Sequence, residues 1–243
     1  MTDALNLDGA LRQLRFLCLA PHPDDAELGM GGTLIKLARQ GHHVHIVDLT
    51  NGEPTPNGSV EKRLAEADAA SKVMGIDRTI LTLKNREVTH DVRSRHLIAA
   101  EIRKHKPDVL FIPYYPDAHP DHRAAHHLGY DARFDAKLTK SDIPGDPHHP
   151  ARVIQYYCTH LKKAFDPTFC IDVSDTFEQK IEACNCYESQ GLGAAGGLSE
   201  YVRTLHGYFG GRLGTKYAEP FFTDEVLGFS GLAELVCVPG QGK

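Results

Sequence analysis

The 243-residue sequence lacks the features that mark membrane, secreted and nucleic-acid-binding proteins. No apolar run approaches the ~20 residues that a membrane-spanning helix needs, and the first residues show no signal-peptide pattern of a basic and then an apolar region. No basic run reaches five residues, and 27 basic against 32 acidic residues leave a formal net charge of −5. Nucleic acids and lipid surfaces are therefore poor partners, and we predict a cytoplasmic protein.

Paired cysteine motifs are also absent. Cys184-Asn185-Cys186 has C-x-C spacing rather than the C-x-x-C of zinc ribbons and redox sites. All six cysteines are therefore expected to be reduced and mostly buried thiols. They are Cys18, Cys158, Cys170, Cys184, Cys186 and Cys237. Because a chain of this length can bury a core without disulfides or a structural metal, any metal is expected to serve chemistry.

Apolar runs alternate with helical spacings over the first half of the chain, which predicts a β-α-β-α-β-α-β succession. The predicted strands are Arg15–Ala20, Val44–Leu49, Thr79–Leu83 and Val109–Tyr114. The predicted helices are Ala26–Gln40, a helix capped by Ser59 that runs to Met74, Asp91–His105 and Asp121–Phe134. Such alternation is typical of parallel sheets with right-handed crossovers. We predict one Rossmann-like α/β domain over residues 1–243, with a mostly parallel, doubly wound sheet in a three-layer α/β/α arrangement.

The pattern is less regular in the second half. Residues 141–150 contain three prolines and are expected to form a loop. Strands are predicted at Val153–Cys158, Phe169–Val173 and Glu225–Phe229, and helices at Thr176–Glu188 and Ser199–Tyr208. The four glycines of Gly191–Gly197 predict a mobile loop that could act as a flap.

Two clusters of histidine and aspartate follow predicted strands. Pro21-His22-Pro23-Asp24-Asp25 comes directly after the first strand, and His119-Pro120-Asp121-His122 comes after the fourth. Open α/β sheets bind their ligands at the carboxyl ends of the strands. We therefore expect the two clusters to meet and to form one metal site.

Two imidazoles and one carboxylate, from His22, Asp25 and His122, would suit a catalytic zinc ion with an open position for water. The same set also describes the facial triad of iron(II) enzymes. Asp24 could accept a proton from the bound water, or it could simply cap the helix that follows. His126, one helical turn after His122, is expected to be a packing or surface histidine rather than a fourth ligand.

The clusters carry a resemblance to a known family. Together with Gly29-Met30-Gly31-Gly32-Thr33, they resemble the LmbE/PIG-L family of zinc-dependent N-acetylglucosaminyl deacetylases. Tyr187-Glu188-Ser189-Gln190 and Lys216-Tyr217-Ala218-Glu219 resemble segments of the bacillithiol-pathway branch of that family. The resemblance implies an amide hydrolase that removes the acetyl group from an N-acetylglucosamine conjugate.

The resemblance also implies a role for each matching residue. His22, Asp25 and His122 would bind Zn²⁺, and Asp24 would be the general base. His119 would stand beside the developing oxyanion, and the Asp121 carboxylate would orient its imidazole and keep it protonated. These roles supply the nucleophile, the oxyanion stabilisation and the proton donor that amide hydrolysis needs.

Substrate contacts are less sharply defined by the sequence. The resemblance implies that Arg63 grips the substrate, while the alternative is a solvated charge on a helix face. The polar loop from Thr50 to Gly58 could contact sugar hydroxyls. Malate-linked, inositol-linked and chitobiose-type N-acetylglucosamine remain open as substrates, and relatives suggest trimers or hexamers. The competing functions are an iron(II) enzyme and a sugar-binding module without catalysis.

Overall fold

The computed structural model describes residues 13–229 apart from 56, 159, 161–164 and 194–196. These residues contain a seven-stranded sheet with the strand order β3-β2-β1-β4-β5-β7-β6. The strands are β1 Arg15–Ala20, β2 His43–Thr50, β3 Asp77–Leu83, β4 Val109–Pro113, β5 Arg152–Tyr156, β6 Phe169–Asp172 and β7 Ala218–Phe222. Strands β1 to β5 pair in parallel, and β7 runs antiparallel to both β5 and β6. The predicted mostly parallel α/β sheet is thus confirmed.

Helices cover both faces of the sheet. They are α1 Asp25–Arg39, α2 Val60–Met74, α3 Val92–His105, α4 Pro120–Ala136, α5 Phe177–Asn185 and α6 Leu198–Leu213, with a short 3-10 helix at Glu188–Gln190. One apolar core lies between the sheet and α1, α2 and α5, and a second lies between the sheet and α3 and α4. Because neighbouring strand residues face opposite sides, Cys18 enters the first core and Leu17 and Leu19 enter the second. No helix in the described ranges is both long and apolar enough to cross a membrane.

Local signals in the sequence set several helix ends. The Ser59 hydroxyl accepts a hydrogen bond from the Lys62 N–H at 3.2 Å, which caps α2 as expected. Gly75 ends the same helix with φ 68°, a left-handed conformation that glycine adopts without a Cβ penalty. Asp91 caps α3 by accepting from the Ser94 N–H.

Helix α1, which begins at the first cluster, is interrupted in its middle. Met30 has non-helical angles of φ −147° and ψ 21°. The N–H groups of Gly32 and Thr33 donate instead to the Glu219 carboxylate, at 2.9 and 2.7 Å. Lys180 Nζ lies 2.6 Å from the same carboxylate, and both charged side chains are fully buried. Strand β7 and helix α5 therefore hold α1, and with it the first cluster, in a fixed position.

The last predicted strand is wrong. Glu225–Phe229 is not a strand, and the last strand within the described residues is Ala218–Phe222. Its glutamate and proline concealed it, since both residue types are depleted in strands. The structure accommodates both residues. The charge of Glu219 is neutralised by Lys180, and Pro220 pairs with β6 but is not one of the two β7 residues that pair with β5.

Smaller boundary errors occur in the same half. The predicted helix Ser199–Tyr208 runs on to Leu213, where Gly214 ends it in a left-handed conformation. The predicted helix Thr176–Glu188 ends at Asn185 and is followed by the 3-10 helix. Cys237 and residues 194–196 of the predicted flap lie outside the described residues.

Candidate metal and active site

The two histidine and aspartate clusters meet at the carboxyl ends of β1 and β4. These strands are parallel neighbours, so the loops that follow them emerge side by side. Asp25 Oδ2 lies 3.0 Å from His22 Nδ1 and 3.2 Å from His122 Nε2. All three residues are buried, and the three ligand atoms lie within 4.8 Å of one another. These residues could therefore hold one metal ion.

Hydrogen bonding and charge in this cluster suit a cation. Both ring nitrogens of His122 are buried and make no hydrogen bond among the described residues, although carboxylate oxygens lie 3.2 and 3.3 Å away. Burial alone would lower the pKa of His22, but hydrogen bonds to Asp121 and Asp25 raise it to about 9. The surrounding carboxylates thus favour positive charge at this point, which is the charge that a metal ion would bring.

Further carboxylates hold the far sides of both imidazoles. Asp117 Oδ1 lies 3.3 Å from His122 Nδ1 and accepts the backbone N–H of His119 at 2.7 Å. Asp121 Oδ2 lies 3.0 Å from His22 Nε2 and accepts the Arg86 N–H. Such outer carboxylates fix the ring orientation and tautomer of metal-binding histidines. Asp117 was not predicted as a site residue, although it stands two residues before the second cluster.

Asp24 does not cap α1, so the helix-capping alternative is wrong. Its side chain makes no capping hydrogen bond, and its backbone has φ 119°, a strained conformation for a residue other than glycine. Strain of roughly 1–3 kcal/mol per residue persists only where the surrounding structure enforces it, and it is commonest at functional sites. Burial raises the pKa of Asp24 to about 7, although the Arg63 guanidinium acts in the opposite direction. The strained backbone turns this carboxylate into the cavity.

Arg63 is buried, which excludes the solvated-charge interpretation. It projects from α2 with 3% of its surface exposed, and its Nη2 donates to Asp24 Oδ2 at 3.2 Å. Its Nε and Nη1 are buried without a hydrogen-bond partner in the described part of the chain. Gly52 makes room for it, because a Cβ at that position would lie 2.8 Å from Arg63 Nε. Buried donors without partners are costly, so the guanidinium is well placed to bind a ligand.

Asp24, Arg63 and two of the three candidate metal ligands line a cavity of about 260 Å³. Its polar lining comprises His22, Asp24, Asp25, Thr55, Arg63, Asn85, His119, His160 and Gln190. Asn85 and His160 were not predicted as site residues. His160 follows β5 as the two clusters follow β1 and β4, so the same strand-end rule would have found it. Its ring lies 5.3 Å from that of His122, between centroids.

The resemblance implied that the Asp121 carboxylate contacts the His119 imidazole, but the structure shows a different pairing. The His119 ring lines the cavity, 4.8 Å from the rings of both His22 and His122. The backbone N–H of Asp121, rather than its carboxylate, donates to His119 Nδ1, and the carboxylate binds His22 instead. Burial and the two neighbouring imidazoles lower the pKa of His119 to about 4. The expected contact between the Asp121 carboxylate and the His119 imidazole is therefore not present, because that carboxylate is directed to His22.

His126 packs against its surroundings, as expected. Its Nδ1 lies 3.0 Å from the carbonyl oxygen of Pro113, and its ring contacts Tyr115 and Tyr130. Leu192, near the start of the glycine-rich loop, and Leu198, directly after its end, both line the cavity.

Comparisons with known proteins agree with this geometry. Residues 17–133 match the model of the PIG-L family, described as GlcNAc-PI de-N-acetylase. A diacetylchitobiose deacetylase from Thermococcus kodakarensis is 34% identical over 221 residues, which cover 84% of this chain and 81% of that protein.

Solved structures show the same fold. A conserved protein from Thermus thermophilus superimposes with a TM-score of 0.83 and 35% identity, covering 90% of this chain and 98% of that one. The N,N'-diacetylchitobiose deacetylase from Pyrococcus horikoshii gives a TM-score of 0.75 and 27% identity, covering 85% and 82%. By sequence and by fold, this chain belongs to the PIG-L family of deacetylases.

Proposed function

We propose that this chain hydrolyses the N-acetyl group of an N-acetylglucosamine-containing substrate with one divalent metal ion. His22, Asp25 and His122 would hold the metal, and zinc is the ion we expect from two imidazoles and one carboxylate. The observation that carries the proposal is the convergence of these three ligands at the edge of a cavity that Asp24 and Arg63 also line. The relationship to diacetylchitobiose deacetylases supports the choice of substrate.

Bound in this site, the metal would supply a Lewis acid and lower the pKa of a water molecule. Asp24 would accept a proton from the attacking water and return it to the departing amine. Its salt bridge to Arg63 at 3.2 Å holds the carboxylate in place and opposes the effect of burial on its pKa. A base whose pKa lies near the working pH is suited to both transfers.

His119 would stabilise the oxyanion as a neutral donor. Because its Nδ1 accepts the Asp121 N–H, a neutral ring carries its proton on Nε2. That N–H would donate to the carbonyl oxygen as negative charge develops there. The free Nε and Nη1 of Arg63 would donate to the sugar or to the acetyl group. Asp121 would act through His22, whose ring it orients.

Several finer expectations stay predictions. They are the identity of the metal as zinc, the Rossmann-like interpretation of the sheet, a single domain over residues 1–243, the bacillithiol-pathway branch, a cytoplasmic location and a trimer or hexamer. The strand order β3-β2-β1-β4-β5 supports the Rossmann-like interpretation. Family membership favours a deacetylase over an iron(II) enzyme or a sugar-binding module.

The direct test is an acetate-release assay with zinc supplied, using N-acetylglucosamine and its glycosides as substrates. We expect Asp24→Asn to keep its metal and to lose about 100-fold or more in turnover. Asp68→Asn, at an exposed position on α2, is the matched control and should behave as wild type. Failure of metal-loaded wild-type protein to release acetate from any of these substrates would overturn the proposal. Full activity in Asp24→Asn would remove Asp24 from its role as base.

A further inference from the structure

A second group of metal-binding atoms lies beside the proposed metal site. A carboxylate oxygen of Asp117, a ring nitrogen of His122 and the Sγ atom of Cys158 lie within 4.8 Å of one another, and all three residues are buried. Zinc–ligand bonds of about 2.0–2.3 Å place the ligand atoms of a tetrahedral site about 3.3–3.8 Å apart. Small side-chain movements would therefore let these three atoms hold one cation. The proposed function makes no use of Cys158.

The order of the strands explains why this group forms. Strands β1, β4 and β5 are parallel neighbours, with β4 in the middle. The first metal site joins the ends of β1 and β4. The second group joins the ends of β4 and β5, because Asp117 follows β4 and Cys158 follows β5. His122, on α4, belongs to both, and both lie where open α/β sheets bind their ligands.

The two nitrogens of the His122 ring face different carboxylates. Nε2 lies 3.2 Å from Asp25 Oδ2, and Nδ1 lies 3.3 Å from Asp117 Oδ1. Neither nitrogen has a hydrogen-bond partner among the described residues, and the ring has 0% of its surface exposed. Buried polar atoms without partners are costly. A cation held by Nδ1, Asp117 and Cys158 would satisfy the nitrogen that the first metal ion does not bind.

The chemistry of the three ligands indicates which cation would bind. Thiolate sulfur favours zinc and other thiophilic ions, whereas magnesium and calcium favour oxygen ligands. Burial raises the pKa of the Cys158 thiol to about 12, so a bound cation must displace the thiol proton. The cation must also displace the proton that Asp117 favours on Nδ1. The second position should therefore fill after the first, when metal is in excess.

We propose that Asp117, His122 and Cys158 form a second metal position, which binds a thiophilic divalent cation such as Cd²⁺ or excess Zn²⁺. A cation there would take Asp117 away from its contact with the His122 ring, whose Nε2 faces the first metal ion. Occupation of the second position should therefore slow acetate release. The binding itself needs no substrate.

Titration of the zinc-loaded protein with Cd²⁺ tests the inference. Thiolate-to-cadmium charge transfer absorbs in the ultraviolet, and the first site contains no sulfur ligand. We expect a band that saturates at about one Cd²⁺ per chain in the wild type and is lost in Cys158→Ala. Cys184→Ala is the matched control and should keep the band. Cys184 is equally buried but belongs to none of the metal-binding groups found among the described residues.

Three results of this titration would overturn the inference. They are the absence of a band in the wild type, an unchanged band in Cys158→Ala and an equal loss of the band in Cys184→Ala. Each would leave Cys158 as an ordinary buried thiol of the core.

A second variant decides the matter if Cys158→Ala does not fold. Asp117→Asn keeps the thiol and removes one charged ligand, so half-saturation of the band should need about tenfold or more Cd²⁺. Asp135→Asn is its control, because Asp135 is equally buried and pairs with Arg95, and it should not change the titration. An unchanged titration in Asp117→Asn would contradict the inference.

Acetate release tests the link between the two positions. Excess Zn²⁺ should inhibit the wild type at lower concentrations than it inhibits Cys158→Ala, and equal inhibition of the two proteins would contradict the coupling through His122. The cadmium band distinguishes failure of this inference from failure of the proposed function, because it is measured without substrate. A protein that shows the band and releases no acetate keeps the second position and loses the proposed function.

Discussion

Asp117 should set the metal affinity of the site without touching the metal. Its Oδ1 lies 3.3 Å from His122 Nδ1 and is itself held by the His119 N–H at 2.7 Å. A carboxylate in this position places the imidazole proton on Nδ1 and leaves Nε2, which faces Asp25, to bind the metal. Asp117→Asn keeps the shape of the side chain and removes its charge, so the His122 ring loses this electrostatic support.

Loss of such a partner weakens metal affinity by about 10–100-fold, which corresponds to roughly 1.4–2.8 kcal/mol. Competition with a chelator of known zinc affinity measures the effect. Asp135→Asn is the matched control, because Asp135 and Asp117 both have 6% of their surface exposed, but Asp135 pairs with Arg95 away from the cavity. That control should change stability but not zinc affinity. Unchanged affinity in Asp117→Asn, or an equal loss in Asp135→Asn, would refute the reasoning.

Three further predictions concern stability and pH. Lys180→Met leaves the Glu219 charge buried without its partner, which lies at 2.6 Å in the wild type, so the free energy of unfolding in urea should fall by about 3–5 kcal/mol. The double variant Lys180→Met, Glu219→Gln should lose less, because no buried charge is left without a partner. A loss below about 1 kcal/mol in Lys180→Met would contradict this. Gly29→Ala places a Cβ 2.5 Å from the buried Tyr156 ring and should lower the free energy of unfolding by about 1–3 kcal/mol. Gly211→Ala, which has open space around it on α6, should instead raise the free energy of unfolding by about 0.4–1 kcal/mol. The melting temperatures of the two variants should therefore shift in opposite directions. Burial lowers the pKa of His45 from 6.5 to about 4, so below pH 6.5 the unfolded chain binds a proton that the folded chain does not. Stability should therefore fall as pH falls through this window, and the fall should be smaller in His45→Gln; identical pH profiles of the two proteins would exclude this role for His45.

Much of the fold could be predicted because local signals and the global arrangement agree in the first half. The four strands and four helices up to α4 begin and end within two residues of the predicted positions. Ser59 and Gly75 mark the ends of α2 by local chemistry alone, without help from distant contacts. The final strand depends on pairing between β5 and β6 and on the buried contact of Glu219 with Lys180. No short window of the sequence contains that information.

The site, like the fold, could be predicted from the sequence only in part. The strand-end rule brings His22, Asp25 and His122 together, since β1 and β4 are neighbours in the sheet. The rule does not give the directions of individual side chains within the loops. The Asp121 carboxylate turns to His22 and leaves only its backbone N–H for His119. The same carboxylate also accepts the Arg86 N–H, a tertiary contact that the local sequence does not show.

The central claim is that His22, Asp25 and His122 hold the one metal ion on which deacetylation depends. Elemental analysis and acetate release, measured on the same samples of wild type, His22→Ala and His122→Ala, test it most directly. We predict about one zinc per wild-type chain, little in either variant, and acetate release that rises and falls with zinc content. Stoichiometric zinc in both variants, or full acetate release from metal-free wild-type protein, would contradict the claim.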